Sequence, residues 1–288
     1  MIPILLSTTK RPRLVSTVNA YTARLSDRLA LRVYSDTRPH TWKIASLQKG
    51  LILVREEVET VGEGTGFGVP ILIYQNETYF SGTSKVYVSQ EVNSVIIHKE
   101  FFMDKLARNT FRNITLENRR ARAMLGYAAD LYQKHKRLRL LELKNLSGKL
   151  NISKTFVEVS PIGKVSFTYR VKDNCVLVKT DLNQLKRRNL EKIFLLNEQG
   201  AAVFRKYSDS NGTELIGEKM GAWDRVSTEW ADLTNLRGDF GFRLRNIREA
   251  ILRRGREYLN GSLDWVGLDY EIDPKSTVFE YEIEILGI

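Results

Sequence analysis

The stretch that decides the fold is Gly163-Lys-Val-Ser-Phe-Thr-Tyr-Arg-Val171, with Val176-Leu-Val-Lys-Thr-Asp181 shortly after it. Apolar and polar residues alternate through both segments, which is the pattern of strands that bury one face. Between them, Asp173-Asn174 supplies residues that tolerate positive φ and predicts a two-residue turn. Such a turn sets Val171 opposite Val176 and Tyr169 opposite Val178, so the apolar sides coincide. We therefore predict an antiparallel hairpin.

The same alternation continues on both sides of this hairpin. Short apolar runs broken by turn residues fill 50–98, and a second hairpin is predicted around Gln75-Asn76-Glu77. Near the C-terminus, 266–272 and 279–285 alternate, and a reversal at Asp273-Pro-Lys-Ser276 predicts a third hairpin in which Tyr270 faces Phe279. The acidic side chains on the outer face of that hairpin, Asp269, Glu280 and Glu282, repel one another and require a cationic neighbour. We therefore predict that the strand that carries Arg243 and Arg245 lies beside this hairpin in the same sheet.

One segment breaks the β pattern, because apolar residues recur at helical spacing from Leu116 to Leu141. Its remaining positions are rich in lysine and arginine, so the sequence predicts one long basic helix near 116–141. The predicted organisation is an N-terminal β part (1–113), a helix and linker (114–154) and a C-terminal β part (155–288), together forming one composite domain.

Composition narrows the class of protein. The chain has 288 residues, with 45 Lys plus Arg against 34 Asp plus Glu, and a net charge of +11. Nine basic and two acidic side chains lie in 1–50, and twelve and four lie in 101–150. This surplus of basic side chains favours the binding of anionic partners, or it simply keeps the protein soluble.

The single cysteine, Cys175, excludes an intramolecular disulfide and a cysteine-based zinc site, so a reducing, cytoplasmic location is expected. No apolar run reaches the length of a membrane span.

The glycine-rich stretch Gly62-Glu-Gly-Thr-Gly-Phe-Gly68 is the most unusual motif. Its spacing matches neither the dinucleotide-binding fingerprint nor a P-loop. One interpretation is a bulged β segment in which glycines permit close backbone approach. The other is a ligand-facing loop, in which Gly66 and Phe67 contact a substrate.

Two short segments combine the side chains that carbohydrate sites use. Asn197-Glu198-Gln199-Gly200 supplies a carboxylate and amides, and Trp223-Asp224-Arg225 supplies an indole, a carboxylate and a guanidinium. Sugar hydroxyls pair with planar polar groups, an aromatic ring carries the apolar sugar face, and proton transfer needs a carboxylate. We predict Glu198 and Asp224 as catalytic residues, with Trp223 and Arg225 binding substrate. The alternative is a buried Trp223 beside a surface Asp224–Arg225 pair.

His98 follows an apolar run and is a further candidate, as a half-buried catalytic base; the alternative is a hydrogen-bonded structural histidine. The three histidines are scattered without metal-ligand spacing, so no metal and no cofactor are expected. Motifs of serine hydrolases, zinc proteases and calcium loops are absent.

The paired segments 163–171 and 176–181, in a chain of this length with a predicted helix before a long C-terminal β region, resemble the galactose mutarotase-like supersandwich proteins. The resemblance is one of fold style over 45–288. It implies a large antiparallel β-sandwich with a sugar site on a sheet, in a fold shared by epimerases, lyases and glycoside hydrolase domains. The epimerases use a histidine pair and a C-terminal glutamate; this sequence offers no second histidine there, so we transfer no catalytic residue.

The sequence therefore predicts a mainly β, supersandwich-like protein that binds or acts on a carbohydrate, with a sugar or sugar phosphate as its partner. Two alternatives remain. One is a phosphate- or nucleic-acid-binding protein that uses the basic helix together with the N-terminal basic segment. The other is an interaction scaffold with no small-molecule site.

Overall fold

A computed structural model describes residues 12–17, 19–35, 48–62, 64–75, 77–105, 161–259 and 262–287. These residues form strands joined by turns, together with one short 3-10 turn at Gly217–Met220. The mainly β prediction is therefore confirmed. The long basic helix predicted near 116–141 lies outside the described residues.

Nineteen strands occur within the described part of the chain. The first eight are β1 (Arg13–Ser16), β2 (Ala20–Arg24), β3 (Leu29–Tyr34), β4 (Ile52–Arg55), β5 (Val58–Glu59), β6 (Gly66–Tyr74), β7 (Glu77–Gln90) and β8 (Val95–Lys105). The remaining strands are β9 (Gly163–Lys172), β10 (Cys175–Asp181), β11 (Leu190–Gly200), β12 (Lys206–Asp209), β13 (Glu214–Ile216), β14 (Asp224–Arg225), β15 (Trp230–Thr234), β16 (Gly241–Arg245), β17 (Ala250–Leu259), β18 (Ser262–Ile272) and β19 (Val278–Leu286).

The described strands form two antiparallel sheets. A five-stranded sheet has the order β1-β2-β3-β4-β5. A fourteen-stranded sheet has the order β13-β12-β15-β16-β19-β10-β9-β8-β7-β6-β11-β18-β17-β14. The pairing of β8 with β9 joins the N-terminal and C-terminal parts of the chain. The described residues before 106 and after 160 accordingly belong to one compact unit.

The large sheet folds over on itself at β7. Only the first three residues of this strand pair with β6, whereas its residues from Tyr79 to Gln90 pair with β8, with a register shift between Ser81 and Thr83. Strands β6, β11, β18, β17 and β14 form a first layer. Strands β8, β9, β10, β19, β16, β15, β12 and β13 form a second layer. Apolar side chains of the two layers meet between them: Phe67 of β6 contacts Phe242 of β16 edge to face, with ring centroids 4.9 Å apart.

Two of the three predicted hairpins are confirmed. In the β9–β10 pair, Val171 lies opposite Val176 and Tyr169 opposite Val178, and Asp173 has the positive φ (51°) that the turn requires. In the β6–β7 pair, the strands flank a turn that begins at Gln75. Alternation and turn chemistry agree in both places, so the register follows from the sequence.

The predicted C-terminal hairpin is wrong. Strand β18 pairs with β11 and β17, whereas β19 pairs with β10 and β16. The chain does reverse between them, but it crosses from the first layer to the second. The ring of Tyr270 therefore meets those of Phe279 and Tyr281 across the core, at 5.2 and 5.1 Å between centroids.

The arginine strand is a neighbour of only one of the two C-terminal strands. β16 pairs with β19, and Arg245 lies 3.6 Å from Glu284. Arg243 instead forms two hydrogen bonds to Asp232, of 2.7 and 2.9 Å, and stacks on Trp230. The predicted adjacency is thus correct for β19 and wrong for β18.

The glycine-rich stretch connects the two sheets through close backbone contacts. Leu51 and Phe67 form a β-bridge, and Gly50 N–H donates to the carbonyl of Thr65. Gly66 has φ 84°, and a Cβ there would lie 2.8 Å from the Leu51 carbonyl oxygen. The interpretation as a bent β segment with close backbone approach therefore describes its backbone. No helix of the described residues is long and apolar enough to cross a membrane.

Candidate carboxyl site on the first layer

Glu198 lies near the C-terminal end of β11, on the face of the first layer that points away from the core. Its strand neighbours are Gly66 of β6 and Gly267 of β18. Because neither neighbour has a side chain, the carboxyl group lies against the sheet and is buried. Its Oε2 accepts a hydrogen bond of 3.3 Å from the backbone N–H of Thr65.

Asp269 is a second buried carboxyl group on the same face. It lies on β18, two residues beyond Gly267, and its Oδ1 accepts a 2.7 Å hydrogen bond from the backbone N–H of Asn197. A Cβ on Gly267 would lie 3.1 Å from Glu198 Cγ and 3.2 Å from Asp269 Oδ1. Both carboxyl groups therefore lie beside the same glycine.

Trp223 lies on this glycine surface. A Cβ on Gly255 would lie 2.3 Å from Trp223 Cδ2, and one on Gly267 would lie 2.8 Å from Trp223 Cη2. The two glycines are paired across β17 and β18, so they form a flat platform for the indole. Trp223 Nε1 donates a 2.5 Å hydrogen bond to Glu257 of β17, which helps to hold the ring over the glycine pair. We call Glu198, Glu257 and Asp269 the carboxyl cluster.

Burial changes the protonation of the cluster. Loss of hydration raises the pKa of Glu198 to about 7; the hydrogen bonds from Thr65 oppose this rise, and the charge of Glu257 adds to it. Burial also raises the pKa of Asp269 well above its usual range, and the charge of Glu198 raises it further. Since each ionised group disfavours ionisation of the other, at least one carboxyl group holds a proton near neutral pH.

The arrangement can both hold a polyhydroxylated ligand and transfer a proton. The inner face of the indole packs on glycine, so the half-buried ring presents its other face outward. A carboxyl group whose pKa lies near the working pH can act as an acid or as a base. Among the described residues, no three His, Cys, Asp or Glu side chains are placed to hold a metal ion.

Of the predicted site residues, the structure brings Glu198, Trp223 and the backbone of Gly66 together. Asp224 and Arg225 form the short edge strand β14 and are exposed. Asp224 lies opposite Arg254, and its carboxylate accepts a hydrogen bond from the backbone N–H of Arg225. Asp224 therefore does not join the carboxyl cluster, and it fits the alternative of an exposed side chain at the sheet edge.

Phe67 and His98 are placed away from the cluster. The ring of Phe67 is fully buried in the core, so it presents no exposed surface to a substrate in this structure. His98 lies on β8, which β7 and β6 separate from β11. Its Nδ1 is 3.2 Å from Thr168 Oγ1 and its Nε2 is 3.8 Å from a Glu100 carboxylate oxygen. These contacts match the structural alternative for His98 rather than a role beside Glu198.

Sequence reasoning missed Asp269 and Glu257. The alternation of 266–272 places Asp269 on the outward face correctly, and an outward acid is expected to be hydrated. The available signal was the pair of small residues, Gly255 and Gly267, on the same outward face. Two glycines on neighbouring strands leave room for a large ring, and a ring there removes water from the adjacent carboxyl group.

The basic runs on the described strands contact the protein itself. Arg253 lies 3.5 Å from Glu271 and near the ring of Phe194, and Arg254 lies over the ring of Tyr207. Arg187 donates hydrogen bonds of 2.6 and 2.7 Å to the carbonyls of Pro274 and Leu182. These arginines hold turns and strands in place, so they provide no support for a nucleic-acid interface.

Comparison with known proteins gave matches only among solved structures. No protein-family profile and no curated protein sequence matches the chain. An Escherichia coli K12 protein provisionally assigned as an aldose 1-epimerase matches 90% of this chain and 95% of its own, with 6% identity and a TM-score of 0.42. A Synechocystis sp. PCC 6803 protein matches with complete coverage of both chains, 7% identity and a TM-score of 0.39. These matches assign no activity to the chain.

Proposed function

We propose that the protein binds a carbohydrate at the carboxyl cluster and that Glu198 exchanges a proton with it. The observation that carries this proposal is the indole of Trp223, held flat on a glycine pair directly beside two buried carboxyl groups. A flat, fixed ring is a suitable platform for the apolar face of a sugar. Beside that platform, the partly exposed carboxylate of Glu257 is a suitable partner for its hydroxyl groups.

Each residue of the site has a distinct role in this proposal. Trp223 binds the sugar ring, and Glu257 orients the indole through Nε1 and also faces solvent in part. Glu198 gives or takes the proton, because its raised pKa leaves both forms populated at neutral pH. Asp269 acts through Glu198 as a positioning residue, since its own charge state changes the proton affinity of Glu198.

Replacement of Trp223 by alanine is expected to weaken sugar binding at least ~10-fold, because the platform is lost while the carboxyl groups remain. The measurement is calorimetric titration with D-glucose, D-galactose and their methyl glycosides. Polarimetry on the free sugars then reports whether the protein speeds anomer interconversion above the spontaneous rate, and this acceleration should disappear in Glu198→Gln.

A matched control is Trp230→Phe, because Trp230 is also half-buried but stacks on Arg243 of the second layer. This variant should bind sugar as the unaltered protein does. The proposal fails if no sugar in the panel binds, or if Trp223→Ala and Trp230→Phe weaken binding equally.

A further inference from the structure

A cavity of about 400 Å³ lies apart from the carboxyl cluster and is lined by three arginines. Arg55 ends β4 of the small sheet, Arg205 precedes β12, and Arg237 lies in the turn between β15 and β16. These positions are distant in sequence, so the fold itself brings the three arginines to the lining of one cavity. We call this the arginine cavity.

The positive charges of the arginine cavity exceed the negative charge that the described residues supply there. Within the described part of the chain, none of the three arginines has an ion-pair partner. The cavity contains one carboxylate, Asp239, and this group accepts a hydrogen bond from Asn235 Nδ2. Three positive charges and one negative charge leave a net charge of +2. Like charges on the residues that line one cavity attract an anion.

The shape of the cavity indicates the size of that anion. Arg55 is held in place because its guanidinium stacks on Phe240, 4.7 Å from the ring centroid. Val203 and Leu236 add apolar wall, and a volume of this size accommodates a small organic molecule rather than a bare ion alone. Guanidinium groups bind phosphate oxygens in pairs, and a phosphomonoester carries a charge near −2 at pH 7.

We propose that the arginine cavity binds the phosphate group of a small phosphorylated molecule. The charge of the ligand matches the net charge of the cavity, and the apolar wall accommodates the organic part. An extended nucleic-acid backbone fits less well, because the three arginines line one cavity of limited volume and Asp239 would repel a neighbouring phosphate. The inference is independent of the carbohydrate proposal, since it uses different residues.

The test is calorimetric titration with inorganic phosphate and with glycerol 3-phosphate, at constant ionic strength. We expect one site, and a loss of affinity of at least ~10-fold in each of Arg205→Gln and Arg237→Gln. Both side chains are exposed, so neither change should disturb folding. Lowering the pH from 7.5 to 5.5 should also weaken binding, because the phosphate dianion takes up a proton with a pKa of about 6.

Arg248→Gln is the matched control, since it removes one exposed arginine outside the cavity. Its affinity should stay within about twofold of the unaltered protein, because general surface charge contributes little at constant ionic strength. The proposal is overturned if neither phosphate compound binds, or if Arg248→Gln weakens binding as much as the cavity variants. It is also overturned if a single-stranded oligonucleotide binds through Arg205 and Arg237 while the phosphate compounds do not.

Discussion

Replacing Glu198 by glutamine should stabilise the protein by about 3 kcal/mol at pH 8 and change its stability little at pH 4. Burial raises the pKa of this carboxyl group from 4.5 to about 7 in the folded state. Each unit of difference corresponds to roughly 1.4 kcal/mol. The amide of glutamine carries no charge and can still accept the hydrogen bond from Thr65, so the variant avoids the cost of a buried anion.

The pH range follows from the direction of the shift. Below about pH 4.5 the carboxyl group is neutral in both states, so it costs nothing. As the pH rises from there to about 7, the unfolded chain releases its proton while the folded protein retains it, and stability falls. Above about pH 7 the full cost is present, and the variant should show its full advantage there. Urea denaturation at several pH values measures the difference.

Two further variants make this test specific. Glu249→Gln changes an exposed glutamate and should stay within about 0.5 kcal/mol of the unaltered protein at every pH. Asp269→Asn should also stabilise at pH 8, but the gain should shrink when Glu198 is already glutamine, because each carboxylate raises the pKa of the other. If Glu198→Gln reproduces the pH profile of the unaltered protein, the carboxyl group is hydrated and the proposed proton exchange loses its basis.

If Glu198→Gln gains stability while it loses activity, the buried carboxyl group serves function rather than stability. Active sites hold groups in environments that cost folding free energy, and removing such a group commonly stabilises the fold. Glu198 meets this description because its burial serves no packing purpose that glutamine could not serve. A purely structural carboxyl group would instead show a loss of stability on the same replacement.

The fold could be predicted where local signals were sufficient. At Asp173-Asn174 the turn chemistry fixed the loop length, and the alternation on both sides then fixed the register of β9 and β10. At the C-terminus, alternation correctly identified the buried faces of β18 and β19. It could not decide whether those faces meet side by side or across the core, because Tyr270 contacts Phe279 in either arrangement. Strand order depends on long-range pairing that alternation does not encode.

The site was predictable only in part for a related reason. Glu198 and Trp223 were chosen for their chemistry, and the structure brings them together. Their juxtaposition depends on the pairing of β11 with β18 and of β18 with β17, which sets Gly267 beside Glu198 and Gly255 under Trp223. Asp224 adjoins Trp223 in sequence, but successive side chains of an extended segment point to opposite faces, and Asp224 and Arg225 are both exposed at the sheet edge. Sequence proximity was therefore a poor guide to which of these residues share the site.

Gly255→Ala should destabilise the protein by about 1–3 kcal/mol and abolish sugar binding, because the added methyl group occupies the position of the indole. Its Cβ would lie 2.3, 2.6 and 2.7 Å from three atoms of the Trp223 ring. The ring cannot move into the sheet, so it must lift away, and the hydrogen bond from Nε1 to Glu257 is then lost. Water would reach Glu198 and Asp269, and their pKa values should fall toward the usual range. Thermal and urea unfolding of the variant measure the loss of stability.

The same substitution in a Trp223→Ala background provides the control. With the indole removed, the methyl group meets no ring atoms, and alanine in a strand costs less backbone entropy than glycine by roughly 0.5–1 kcal/mol. Gly255→Ala should therefore be neutral or slightly stabilising there, which gives an interaction free energy of about 1–3 kcal/mol between the two positions. An equal loss of stability in both backgrounds would show that the indole does not lie on Gly255. The platform, and with it the carbohydrate proposal, would then lose its structural support.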